Sequence, residues 1–461
     1  MPSALPTRLL DLTDPTNIKL LDMNSPNNFE SPQIAKALNV SQYAALSHCW
    51  GGSATYVLNC DTYETLVRGL PQHKLPSTFR DAIFVARRLG IQYLWIDSLC
   101  IFQDSRADWE RESGQMSRTY RGAFLTISAL NARSSDDGFL KPRAIPICPL
   151  PDGGGVWPGI ILQKDTETAG ATKKEPLSKR GWALQERVLS TRILHFGKEQ
   201  MFWECKSLEA SEHAPTSHDP ISDIWKVPIR EQKDVDTEYS QSCYFFWREM
   251  VQELSVRQLT YRLDKLPCLS GVAQEISRRT KGAYRAGIWL EDMPKQLLWF
   301  VREASPTRRS DGEYIAPTWS WPNVDAEVCF EKDMIFRVLC KFDCVVSLTS
   351  SADPFGRVSS GWMRVTGPLA TISAYIDGLP KCHSSGSPQG SKRKNCSEKP
   401  AWDWIDERMR FESKSSRREI RCLGLVEWKI ARVIGALIIA ETGKGKDQYQ
   451  RLGYCSICPL H

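Results

Sequence analysis

Residues 75–130 read LPSTFRDAIFVARRLGIQYLWIDSLCIFQDSRADWERESGQMSRTYRGAFLTISAL, and this stretch decides the fold class. Thr78 followed by Asp81, with Pro76 ahead of them, is the pattern of a helix capping box. Phe79, Ile83, Ala86 and Leu89 recur at helical spacing, and Gly90 supplies a stop. Tyr93 to Ile96 is a short apolar run that reads as a buried strand. Asp97 follows at once, where functional groups gather beyond the carboxyl ends of strands in open α/β sheets. Its local alternative is a turn cap. Trp109, Met116 and Tyr120 predict one apolar stripe on a second helix, and Glu112 falls on it. A carboxylate on an apolar face is paired with a cation or belongs to a site. Glu112 is therefore a candidate catalytic acid, or else a structural partner of Arg80 or Arg118. Ala123 to Leu130 closes the stretch as a strand.

Upstream, residues 1–40 are expected to form two short lead-in strands, Arg8–Asp11 and Ile18–Leu21, joined by an Asp/Pro/Thr/Asn turn. Tyr43 to Cys49 reads as a buried strand ended by Trp50, Gly51 and Gly52, glycines that let the backbone turn sharply or approach a ligand. Downstream, residues 131–176 read as loop, with one strand at Gly159–Gln163. Arg180 to Leu189 is a helix on which Trp182 and Glu186 share a face. Arg192–Phe196 and Gln200–Cys205 form a hairpin about Gly197 and Lys198. Helices alternating with strands in this way predict an α/β sheet.

Composition sets outer limits. The 461 residues carry 60 basic and 54 acidic side chains, a net charge of +6. That balance is mild, and nucleic acid usually demands a dense basic stripe. The basic cluster Lys392–Lys394 sits in a Ser/Gly-rich run and reads as a solvated loop. Fifteen cysteines at irregular spacing, with no signal peptide pattern, predict reduced thiols and a cytoplasmic location. Cys455 and Cys458 with His461 fall short of the roughly four ligands of a zinc site. No metal and no required cofactor is expected. No apolar run approaches the roughly 20 residues of a spanning helix. Neither a G-x-G-x-x-G fingerprint nor a P-loop is present, which argues against a dehydrogenase or an ordinary NTPase.

Three segments carry a family resemblance: YAALSHCWGG (43–52), WIDSLCIFQD (95–104) followed by QMSRTYRGA (115–123), and LSKRGWALQERVLSTRILHFGKEQMFWEC (177–205). In this order they resemble the fungal HET (heterokaryon incompatibility) domain, which places the domain at residues 41–205. The runs DKLPCLSG (264–271), AGIW (286–289) and PTWSW (317–321) resemble the Trp-rich region that follows such domains, here residues 206–324, read as helical. Residues 325–461 read as a β-rich C-terminal region with a disordered insertion at 383–397.

The resemblance implies a flavodoxin/TIR-like sheet with flanking helices. It also implies a role in fungal self/non-self recognition and cell death, through self-association or a protein partner. Some TIR domains cleave NAD with a glutamate four residues after a tryptophan. Trp182 and Glu186 reproduce that spacing, which makes Glu186 a candidate catalytic carboxylate and NAD a candidate substrate. The ring of Trp50 or Trp182 would stack on the ligand, and the amides of Gly51 and Gly52 would meet its phosphates. Asp97, Cys100, Gln103, Arg180 and Gln185 complete the expected ligand-binding set. Alternatively, Glu186 pairs with Arg180, Arg187 or Arg192 in a non-catalytic interaction module. A cysteine nucleophile would need Cys49 or Cys100 within reach of His48.

Overall fold

The computed structural model describes residues 5–23, 42–52, 56–143, 172–212, 237–302, 313–331, 336–351, 353–375, 401–402, 417–428, 434–441 and 449–457. The chain divides into two compact units. The first spans Met1–Val227 with Arg257–Leu259, and the second holds Pro228–Val256 and Thr260–His461.

The first unit is built on a nine-stranded sheet. Its strands are β1 (Arg8–Asp11), β2 (Asn17–Asp22), β3 (Ala44–Ser47), β4 (Leu70–Pro71), β5 (Tyr93–Ile96), β6 (Leu125–Ser128), β7 (Arg192–Phe196), β8 (Met201–Cys205) and β9 (Glu209–Ser211). They lie in the order β4-β2-β1-β5-β3-β6-β7-β8-β9. The four central strands β5, β3, β6 and β7 are parallel to one another, and antiparallel strands extend both sides. In β3, β5 and β6 every residue is buried. This explains their unbroken apolar runs, since parallel strands are covered on both faces.

Helices carry the chain between these strands: α1 (Cys60–Arg68), α2 (Ser77–Arg88), the single turn α3 (Asp97–Cys100), α4 (Arg106–Ser113), α5 (Met116–Gly122) and α6 (Gly181–Leu189). Strand alternation decides what faces what. Ser47 points to the side that carries α5 and α6, where it meets Glu186. His48 points to the other side, edge-on to Phe79 of α2 at 5.1 Å.

Two local expectations need correction. Thr78 and Asp81 do not form a capping box, because the cap of α2 is Pro76 with no side-chain bond. Thr78 Oγ1 instead donates to the Ser134 carbonyl at 2.9 Å, and Asp81 accepts from the Phe139 and Leu140 amides. Both side chains hold the segment after β6 rather than the helix end. The second helix is also not continuous. It breaks at Gly114 and Gln115 into α4 and α5, consistent with the cost of about 1 kcal/mol for a glycine inside a helix. Trp109 and Glu112 thus lie on one helix, Met116 and Tyr120 on the next.

The expected strand at Gly159–Gln163, the insertion at 383–397 and the run Lys392–Lys394 lie outside the described residues. So do Cys458 and His461.

The second unit opens with α7 (Thr237–Ser255) and α8 (Pro267–Thr280). Two aromatic donors converge on one carbonyl here, Trp247 and Trp321 each reaching Gly287 O at 3.0 Å. The short strands β10 (Tyr284–Arg285) with β11 (Ile288–Trp289), and β12 (Trp299–Val301) with β13 (Val328–Phe330), form two antiparallel pairs. The rest is β-rich. β15 (Lys341–Leu348) and β16 (Val358–Thr366) form a ribbon. β14 (Phe336–Val338), β17 (Leu369–Tyr375), β18 (Ala401–Trp402), β19 (Arg417–Trp428), β20 (Ile434–Glu441) and β21 (Tyr449–Ile457) form a six-stranded sheet.

Candidate functional site at the carboxyl ends of the parallel strands

The polar core of the first unit sits at the carboxyl ends of its parallel strands. Ser47 is opposite Ser128 in the β3–β6 ladder, and Ser128 is opposite His195 in the β6–β7 ladder. Leu46 is opposite Ile96, so Asp97, the next residue, stands level with Ser47. The last rung of four neighbouring strands therefore reads Asp97, Ser47, Ser128, His195. The chain passes from β3 to β5 on one side and then from β5 back across β3 to β6 on the other, so the order reverses between β3 and β6, and ligands of open α/β sheets bind at such a point.

Glu186 reaches this rung from the second turn of α6. It is 1% exposed. The Ser47 hydroxyl donates to Oε2 of Glu186. The Tyr120 hydroxyl lies within hydrogen-bonding reach of the same carboxylate and 3.1 Å from the Leu46 carbonyl. Burial pushes the Glu186 carboxyl up to about 7, with Arg180 opposing and the Asp97 charge adding to the rise. Burial alone works against the Arg180 charge, but Glu186 and Asp97 outweigh it and hold the guanidinium above its ordinary range. Arg180 also donates to the His48 carbonyl. Its own carbonyl accepts from Arg257 Nη1 at 3.3 Å.

Asp97 begins α3 and is held from two directions. The Ser98 amide donates to Oδ1 at 2.8 Å, and Trp50 Nε1 donates to Oδ2 at 2.8 Å. His48 Nδ1 lies 3.8 Å from Oδ1, beyond hydrogen-bonding distance, and neither ring nitrogen of His48 makes a hydrogen bond. Burial holds the imidazole down to about 4, despite Asp97, so it is neutral near pH 7. Gly51 and Gly52 form the exposed tip beyond Trp50. Gly51 has φ +84°, and a Cβ there would lie 2.5 Å from Ser134 Cβ. The position therefore requires glycine on both conformational and steric grounds.

The structure gathers Trp50, Asp97, Arg180 and Glu186 from the expected set. The others take different places. Glu112 is buried, and its cation is Arg111 at 3.2 Å, not Arg80 or Arg118. Trp182 is half-buried and edge-on to Trp109, with ring centroids 6.2 Å apart. Gln103 donates to the Ile101 carbonyl at 2.8 Å, a local backbone role. Gln185 and Cys100 are fully buried. Burial pushes the Cys100 thiol up to about 12 and the Cys49 thiol up to about 11. Thiols in that state are poor nucleophiles. Cys49 packs among Leu130, Leu177 and Ala183.

Four residues that matter here escape a reading of the sequence: Ser47, Tyr120 as a carboxylate partner, Ser128 and His195. The available signal was a single polar residue near the end of each apolar strand. Among the described residues no group of three or more His, Cys, Asp or Glu side chains is placed to hold a metal. Among the same residues no helix is long and apolar enough to cross a membrane.

Residues 43–186 match the family described as heterokaryon incompatibility protein (HET). The chain is 25% identical over 239 residues to vegetative incompatibility protein HET-E-1 of Podospora anserina. That alignment covers 48% of this chain and 16% of the longer relative. No solved structure matches. The matched segment holds Trp50, Asp97, Arg180 and Glu186, and over residues 43–186 the chain carries the HET-family match.

Proposed function

We propose that this chain is an incompatibility-type effector of self/non-self recognition, whose HET domain cleaves the nicotinamide–ribose bond of NAD through Glu186. The name of the Podospora relative and the family match support the incompatibility role. One observation carries the chemistry: a carboxyl raised to about 7 at the switch point of a parallel sheet, with an arginine beside it. The parallel core order β5-β3-β6-β7 supports a flavodoxin/TIR-like reading, since the first strand in sequence lies between the second and third. Departure of nicotinamide leaves an oxocarbenium-like ribose, and an ionised Glu186 would stabilise it before water completes the hydrolysis. Arg180 keeps a share of Glu186 ionised near neutral pH. In this reading the exposed amides of Gly51 and Gly52 receive phosphate oxygens, and the ring of Trp50 or Trp182 stacks on a base.

A second reading rests on a different observation. Glu186 is 1% exposed and held by Ser47 and Tyr120, as suits the structural centre of a non-catalytic module that signals through self-association or a protein partner. NAD turnover by the full-length protein at high concentration, beside Glu186→Gln and Glu186→Ala, separates the two. Turnover lost in both variants, with the circular dichroism spectrum retained, supports the enzyme. No turnover by the wild type, with self-association intact, moves the assignment to the interaction module.

A further inference from the structure

The polar rung continues beyond Glu186. Ser128 Oγ lies 3.0 Å from Nδ1 of His195, and Nε2 of that ring lies 3.2 Å from Oε2 of Glu204 on β8. Arg187, one residue after Glu186 on α6, donates from Nε to the same Oε2 at 2.7 Å. Glu186 and Arg187 thus anchor the two ends of one row of groups. Only the step between Ser47 and Ser128 lacks a direct bond. These two residues line a common cavity of about 20 Å³, with His195, Arg187 and Arg257 also at its wall. That is room for one water molecule, and the hydroxyls and guanidinium groups offer the two to four polar partners such a water needs.

We propose that this rung is a proton relay, bridged by one water between Ser47 and Ser128, that couples the protonation of Glu186 to the His195–Glu204 pair. Each hydroxyl can donate and accept at once. In one passage the Ser47 proton moves to the Glu186 carboxylate, and the water proton moves to Ser47. The Ser128 proton moves to the water, and the Nδ1 proton of a cationic His195 moves to Ser128. Glu186 ends neutral, and His195 ends neutral with its remaining proton on Nε2, facing Glu204. No other species is consumed.

The charged and titratable groups around the two ends are Arg180, Asp97 and Tyr120 at Glu186, and Glu204 and Arg187 at His195, with Arg257 at the cavity. Their through-space influence persists when a hydroxyl is removed, whereas the relay does not. The contribution of the relay to NAD turnover rests on the function proposed above, but the coupling is a property of the protein alone.

The test is a nitrogen NMR titration of the His195 ring in the full-length protein without substrate. Glu186→Gln is expected to move the His195 midpoint. In a Ser128→Ala background the same substitution should move it about twofold less or weaker still, a non-additivity reserved for groups in one network. Ser128→Thr, which keeps the hydroxyl, should restore the wild-type response. Ser47→Ala breaks the adjoining link and serves if Ser128→Ala does not fold. An equal shift in the wild-type and alanine backgrounds, or no shift in the wild type, overturns the relay. Loss of the NAD reading leaves this measurement unaffected.

Discussion

Ser47 on β3 donates its hydroxyl proton to Glu186 on α6, joining residues 139 positions apart in the chain. The bond fixes the helix that carries the carboxylate to the strand end that forms the floor of the site. Replacing Ser47 with alanine leaves a buried acceptor short of one donor, which costs about 1–3 kcal/mol. Urea unfolding should show this loss. The hydroxyl also favours the ionised carboxylate, so the Glu186 midpoint should rise further in Ser47→Ala. Infrared difference spectra of the carboxyl stretch across pH 6–9 would read it.

Glu186 and His48 impose opposite pH slopes on stability. The folded Glu186 carboxyl titrates at about 7 against an ordinary 4.5. Between those values the folded state holds a proton that the unfolded state has released, so stability falls as pH rises. The folded His48 titrates at about 4 against 6.5. Between those values the unfolded state holds the extra proton, so stability rises with pH. Each effect amounts to about 3 kcal/mol over its range, and the two largely cancel between pH 4.5 and 6.5. Glu186→Gln should unmask the rising slope, and His48→Phe the falling one. Denaturant midpoints at four pH values across 4.5–7.5 check both signs.

Trp50 closes over Asp97 with an indole N–H at 2.8 Å. Trp50→Phe keeps most of the ring but removes that donor, with an expected loss of about 1.5–3 kcal/mol, typical of hydrogen bonds to charged groups. The Gly51 amide should also exchange its hydrogen faster. Hydrogen exchange read by mass spectrometry on the peptide spanning residues 48–58 would report the change.

Arg8 ties the N-terminal hairpin to the domain. Its guanidinium meets both oxygens of Asp108 at 2.9 and 3.0 Å, Asp22 at 3.2 Å and the Cys100 carbonyl at 3.0 Å. Arg8→Ala removes the bidentate partner of Asp108, which keeps Arg111 and the Phe102 amide, and one partner of Asp22, an expected loss of about 1–3 kcal/mol. Limited proteolysis should then cleave first within residues 5–23.

Much of this architecture is visible in the chain itself. The apolar runs at Tyr93–Ile96 and Arg192–Phe196 match strands residue for residue, because buried parallel strands and tight hairpins leave strong local signals. The capping pattern at Thr78 and Asp81 misleads because both side chains are recruited by the segment 134–140, over fifty residues away. Glu186 and Asp97 are legible as charges beside apolar runs. Ser47, Ser128 and His195 are not, since a serine or histidine within a strand draws no notice until pairing places the three on one rung. Register is a property of the assembled sheet, and single-strand patterns do not carry it.

The sheet order bears on where this domain can be cut. The family match spans residues 43–186, yet β5 is flanked by β1 and β6 by β7, both outside those limits. A fragment trimmed to the match would keep three parallel strands, both outer ones with bare peptide groups that invite pairing with another chain. It would also lose Arg8, the partner of Asp108. The matched segment is thus shorter than the sheet it belongs to, whose strands run from β1 before the match to β9 after it.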